Sequence, residues 1–269
     1  MKYLLIVEGE KAEPRIFENI LSRYGFKVER LKRPKTFVGY SFALEETVVE
    51  NGVDTVYIMQ SPKNRIGEFI HTCIEENWDL HQAFHQDNGL FNGIFIIFDV
   101  DHTSSESLDC MMKRFSDEFD EGLLLVSSPC LEIISEPNRI APIEVCHLSE
   151  YKRERNKELH GNPGIKKGTI DYIINNFEDL LISFLDRNQK DFKENNIMEH
   201  PVRAVQKINK HNTRCEDKVY YTYFTTVIYV AIACFMGLTR DIDNAEAVKK
   251  FLSERKAIQS ISGKKRVQR

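Results

Sequence analysis

At 269 residues the chain can bury a full core, as one large domain or two smaller ones, and 42% hydrophobic with 29% charged residues is the balance of a globular protein, not a disordered one. A net charge of −4 argues against a nucleic-acid coat, because binding of that kind has to come from local basic groups or a metal. Six cysteines scattered without a Cys-x-x-Cys pair argue against a zinc ribbon or a disulfide framework and for reduced thiols in the cytoplasm.

The first half alternates strand and helix patterns, which predicts an α/β fold: a mostly parallel sheet with covering helices. Lys2 to Val7 reads as a buried strand running into Glu8-Gly9-Glu10-Lys11. The apolar stretch before Glu8 is too short for a signal peptide. Pro14 to Tyr24 is a predicted helix, with proline early and Gly25 as its stop. Strands are predicted at Phe26 to Leu31 and Val53 to Met59 around a helix near Ser41 to Glu50. A helix follows at Arg65 to Asn77, then a strand at Gly93 to Phe98 that runs into Asp99-Val100-Asp101. A helix from Ser105 to Phe119 and a strand from Gly122 to Val126 complete this unit, residues 1–142.

From residue 143 to 269 strand signals fade, and an α-helical region is predicted, with helices at Thr169 to Leu185, Pro201 to Lys210, Lys218 to Met236 and Ala245 to Lys256. Val219 to Thr239 carries no charge and is long enough to span a bilayer, but its Tyr- and Thr-rich first half wants hydrogen-bond partners, which favours a buried helix and a protein without a membrane anchor. The helices at Thr169 to Leu185 and Lys218 to Met236 carry more apolar surface than such a region needs for itself. An exposed docking patch is therefore expected there.

Chemistry is expected where apolar strands end in carboxylates, because ligands of open α/β sheets bind at the carboxyl edge. Glu8, Asp99 and Asp101 are the leading candidates; alternation along a strand sends Asp99 and Asp101 to the same side. Converging carboxylates suit a hard cation, Mg²⁺ or Mn²⁺, which is usually held together with substrate phosphates. Glu13 and Glu132 are further candidate metal ligands. Glu13 also complements the dipole of its helix, and Glu132 follows a strand and a Ser127-Ser128-Pro129 turn. Lys11, Lys166 and Lys167 are candidate phosphate or nucleic-acid contacts, the last two beside Gly161-Asn162-Pro163-Gly164.

The run Ile6-Val7-Glu8-Gly9-Glu10-Lys11-Ala12-Glu13-Pro14, with Phe98-Asp99-Val100-Asp101 and Ser127-Ser128-Pro129-Cys130-Leu131-Glu132, resembles the TOPRIM domain of RloB-like proteins, relatives of the OLD-type nucleases associated with prokaryotic phage defence. It covers about the first 140 residues. The family pattern has Thr at Ala12 and Asn at Ser128, and neither change removes a carboxylate. The resemblance implies a TOPRIM-type sheet and a Mg²⁺-dependent endonuclease acting on DNA or RNA, with Glu8, Asp99 and Asp101 at the metal. It also implies an assisting lysine, for which Lys166 is the candidate, and a separate ATPase chain as partner, since this chain has no Gly-x-x-x-x-Gly-Lys-Ser/Thr loop of its own. Homo-oligomerisation is left open.

Two alternatives stand beside this reading. Asp99-Val100-Asp101-His102-Thr103 resembles the nucleophile motif of haloacid-dehalogenase-like phosphatases, in which Asp99 would attack phosphate and Leu125-Val126-Ser127 would supply the serine. The other is a non-catalytic module that senses or scaffolds.

Overall fold

The computed structural model describes residues 1–31, 54–61, 91–100, 105–117, 122–128, 130–138, 143–144, 148–160, 168–188, 201–212, 220–221, 224–238 and 246–254. The predicted helices at 41–50 and 65–77 lie outside these residues.

The central strands are β1 (Lys2–Val7), β3 (Thr55–Gln60), β4 (Gly93–Asp99) and β6 (Gly122–Ser128), with β2 (Lys27–Arg30) between the first two in the chain. In space the order is β2-β3-β1-β4-β6-β5, where β5 is the two-residue strand Ser116–Asp117. All pairings from β2 to β6 are parallel, with Leu5 opposite Ile58 on one side and Phe95 on the other, and Asp99 opposite Ser127. Apolar runs such as Leu4-Leu5-Ile6-Val7 and Ile94-Phe95-Ile96-Ile97-Phe98 are buried throughout, as strands covered on both faces must be. Parallelism brings the ends of β1, β3, β4 and β6 to one edge of the sheet.

Helix α1 (Ala12–Arg23) begins directly past that edge. Its far end closes as a Schellman turn: Gly25 takes φ +96°, its N–H donates to the Ser22 carbonyl and that of Phe26 to the Leu21 carbonyl. Only glycine takes that φ without strain. Helix α2 (Ser105–Arg114) stops earlier than the expected Phe119, since Ser116 and Asp117 leave it to pair with β6.

The remainder includes a 3-10 turn (Leu131–Ser135), a two-residue strand β7 (Ile143–Glu144), and helices α3 (Leu148–His160), α4 (Thr169–Asn175), α5 (Phe177–Arg187) and α6 (Pro201–Asn212). Helix α3 is absent from the predicted elements. The helix expected from Thr169 to Leu185 is two helices that meet at Asn176, whose side chain bonds back to the Tyr172 carbonyl at 2.9 Å.

The largest departure lies at Lys218 to Met236. Strands β8 (Tyr220–Tyr221) and β9 (Phe224–Thr225) occupy its first half, and helix α7 starts only at Tyr229 and runs to Leu238. Aromatic and β-branched residues favour extended backbone, and β8 finds a partner in β7 while β9 pairs antiparallel with the carboxyl end of β6. Strand signals therefore do not end at residue 142.

Helix α7 is apolar all round, and Tyr229 to Phe235 are buried. It packs on the sheet through Phe95 and Tyr229 (ring centroids 6.1 Å apart) and against the end of α1 through Tyr24 and Phe235 (4.4 Å), while the Tyr3 hydroxyl donates to the Ala233 carbonyl. The apolar faces of α4 and α5 enter the same core, with Ile173, Ile174, Leu181, Phe184 and Leu185 buried. The apolar surplus expected to form an exposed docking patch is thus consumed by the core for these described residues. No helix of the described residues is long and apolar enough to cross a membrane.

Candidate active site

At the carboxyl edge of the sheet a cleft of about 460 Å³ is lined by Glu8, Gly9, Glu10, Lys11, Ala12, Glu13, Gln60, Asp99, Leu131, Glu132 and Lys152. Four separate segments supply its acids. Glu8 follows β1, Asp99 ends β4, Glu13 sits in the first turn of α1 and Glu132 in the 3-10 turn after β6.

Glu8 and Asp99 are joined directly: the Asp99 N–H donates to Glu8 Oε2 at 3.3 Å, and the Glu8 N–H donates to the Ile97 carbonyl at 3.2 Å. Gln60, in register with Val7, donates its amide to the Glu8 carbonyl at 3.4 Å. Glu13 is buried, and its Oε1 accepts the Gly9 N–H at 3.2 Å. That approach needs a residue with no side chain, because a Cβ at position 9 would run into the Glu13 carboxylate.

Burial pushes the Glu13 carboxyl up from its ordinary value, the charge of Glu132 adding to the push and Lys152 opposing it. Asp99 is pushed well up, first by desolvation and then by Glu13, with Glu132 and Glu8 adding and Lys152 opposing. Several carboxylates are thus crowded into a low-dielectric edge with a lysine among them. Lys152 Nζ stands 3.8 Å from Glu132 Oε2, a buried oxygen with no hydrogen-bond partner among the described residues.

Of the predicted site residues, the cleft brings together Glu8, Glu13, Asp99, Glu132 and Lys11. Asp101, Lys166 and Lys167 lie outside the described residues. Lys152 and Gln60 are not among the sequence candidates. Gln60 had a readable signal, since it follows an apolar strand as Glu8 does; Lys152 had none, because it lies in a helix that is polar almost all round. Ser127, the serine required by the phosphatase alternative, is fully buried and shares a 2.8 Å hydrogen bond with the Thr225 hydroxyl.

Family models, curated proteins and solved structures give no significant match to this chain. The likeness to RloB-like TOPRIM domains rests on the residues quoted for it.

The donor chemistry of the cleft fits a hard divalent cation: carboxylate oxygens, one of them buried without a hydrogen bond, and among the described residues no thiolate or imidazole in the lining. Among the described residues no group of three or more acids, histidines or cysteines stands close enough together to hold a metal ion. Mg²⁺ does not require one, because it is commonly held by one or two carboxylates plus substrate phosphates and water.

Proposed function

We propose that this cleft is the active site of a Mg²⁺- or Mn²⁺-dependent nuclease that hydrolyses phosphodiester bonds of DNA or RNA. The observation that carries the reading is the convergence of Glu8, Glu13, Asp99 and Glu132, from four segments, on one sheet-edge cleft beside Lys152. The parallel sheet and the Glu8-Gly9-Glu10-Lys11 and Asp99-Val100-Asp101 segments support a TOPRIM-type domain, and the resemblance extends the proposal to an effector of anti-phage defence controlled by a separate ATPase chain.

Glu8 and Asp99 would hold the ion, with Asp101, Glu132 and Glu13 as further ligands. When bound, a divalent cation polarises a phosphoryl oxygen and acidifies a water. The chain's own residues supply the rest. Lys152 brings a fixed positive charge into the cleft, where charge builds on the phosphoryl oxygens in the transition state. Lys11, exposed at the start of α1, would meet a flanking phosphate. Gln60 steadies the backbone of Glu8.

The commitment of Ser127 to Thr225 speaks against the phosphatase reading, which needs that hydroxyl in the cleft. The deciding experiment incubates the purified chain, with and without Mn²⁺ or Mg²⁺, with labelled single- and double-stranded DNA and RNA and with a small phosphate monoester. Metal-dependent cleavage of polynucleotide, lost in both Glu8→Gln and Asp99→Asn, is expected. Release of phosphate from the monoester through a trappable aspartyl-phosphate on Asp99, tolerant of Glu8→Gln, would refute the proposal.

A further inference from the structure

We propose that Arg155 is a positioning residue that holds Glu132 beside Lys152 in the cleft. This inference rests on the reading of Glu132 and Lys152 as site residues.

The two members of that pair come from different elements, Glu132 from the 3-10 turn after β6 and Lys152 from α3. A long lysine side chain and a short irregular turn do not fix one separation by themselves. Arg155 lies three residues beyond Lys152 and so on the same side of α3. It grips the turn with both prongs of its fork: Nε donates to Ser135 Oγ at 2.8 Å and Nη2 to the Ser135 carbonyl at 3.1 Å. Ser135 Oγ in turn donates to the Glu132 carbonyl at 2.7 Å. An unbroken chain of hydrogen bonds therefore runs from the helix that carries Lys152 to the backbone of Glu132.

The rest of the guanidinium is equally engaged. Nη1 lies 3.1 Å from Glu136 Oε1 and donates to Glu158 Oε2 at 3.0 Å. The Tyr151 hydroxyl donates to the other Glu136 oxygen at 3.2 Å, and the guanidinium carbon lies 6.0 Å from the Tyr172 ring centroid. Asn156, the next residue, takes both the N–H and the hydroxyl of Thr169, which anchors α3 to the start of α4. The Arg155 side chain is only 12% exposed. Removing a guanidinium from water is costly, and apolar residues would hold two elements together as well or better. What the fork adds is geometry: two bonds to one residue, one to its hydroxyl and one to its carbonyl, fix the turn in a way that a point charge cannot.

The test uses the full chain in wild type, R155K, R155M, E132Q and the R155M/E132Q and R155K/E132Q doubles. Hydrogen exchange should show loss of protection at residues 131–136 in R155K and R155M, with strands 2–7 and 93–99 unchanged. Mn²⁺ affinity, read by paramagnetic resonance, should fall roughly 10- to 100-fold in both single variants, the range for residues that orient metal ligands. It should fall no further when either is added to E132Q. R155K serves where R155M folds poorly, and also separates fork from charge. Unchanged protection at 131–136, loss spread over the core strands, wild-type behaviour of R155K, or additive losses in the E132Q background would each overturn the proposal. If the wild type binds no Mn²⁺ while the selective loss of protection appears, the metal reading of the cleft fails and the hold of Arg155 on Glu132 stands.

Discussion

The backbone N–H of Asp99 donates to the carboxylate of Glu8 at 3.3 Å, so the ends of two neighbouring strands are stitched together by a side chain that also faces the cleft. The bond satisfies a strand-end donor and fixes one oxygen of Glu8 beside Asp99. Asp99 itself, desolvated and facing other acids, is driven toward its neutral form, unlike the same carboxyl in the unfolded chain.

That difference sets a pH dependence. The carboxyls of Asp99 and Glu13 titrate higher in the folded chain than in the unfolded one, where values near 4 apply. Between the unfolded and folded values the native state binds more protons, so stability falls as pH rises through that window and levels off above it. Denaturation midpoints in metal-free buffer are expected to drop from pH 4.5 upward, and Asp99→Asn and Glu13→Gln should each flatten the fall. A midpoint that climbs with pH in the wild type and is unaffected by these changes would contradict the assigned shifts.

Lys152 invites a separation of binding from turnover. It opposes the upward shifts of Asp99 and Glu13 and sits near Glu132, so its positive charge competes with a bound cation. Lys152→Met is expected to leave Mn²⁺ affinity unchanged or tighter, yet to lower cleavage about 100- to 1000-fold, the scale for loss of one charge-stabilising group in a transition state. Parallel Mn²⁺ titration and single-turnover cleavage provide the check, and a loss of metal binding that accounts for the whole drop would remove Lys152 from the chemistry.

Glu8 and Asp99 were legible because each ends an apolar run, whereas Glu13 was read from the first turn of a helix and Glu132 from a strand and the turn after it. Short apolar runs must be buried strands, and a carboxylate directly after one must stand at the sheet edge. Lys152 was not legible. Helix α3, Leu-Ser-Glu-Tyr-Lys-Arg-Glu-Arg-Asn-Lys-Glu-Leu-His, has no clear apolar stripe, so nothing local says which of its cations turns inward. The same holds for β9, whose two residues become a strand only because the carboxyl end of β6 lies beside them. Long-range pairing of this kind has no local periodicity to announce it.

That pairing rests on a buried polar cluster. The Thr226 hydroxyl accepts the Val126 N–H at 2.9 Å and donates to Asn209 Oδ1 at 2.9 Å, while Asn209 Nδ2 donates to the Leu124 carbonyl at 3.1 Å. Thr226→Val keeps the shape but removes the acceptor of a buried N–H and a donor to a buried amide oxygen. A loss of about 1–3 kcal/mol is expected from urea denaturation, the range for unsatisfied buried polar groups. A change below about 0.5 kcal/mol, as at ordinary surface sites, would show that the cluster is not a fastening point.

Gly9 offers a sharper test of the cleft. Its backbone is not in the left-handed region, so alanine meets no conformational barrier there, and the demand at this position is space alone. The added methyl would meet the Glu13 carboxylate, the far end of a side chain that borders the cleft, so that carboxylate must shift and give up its place. Gly9→Ala is therefore expected to cost about 1 kcal/mol, the low end for overpacking, because only a side-chain end has to move. It should also break the 3.2 Å bond from the Gly9 N–H. In a Glu13→Ala background the same methyl enters the space that the carboxylate left, so the added cost of Gly9→Ala should shrink to within about 0.5 kcal/mol of zero. Denaturation of the four proteins of this cycle measures the coupling directly, and equal costs of Gly9→Ala in the two backgrounds would mean that Glu13 is not what position 9 is kept small for.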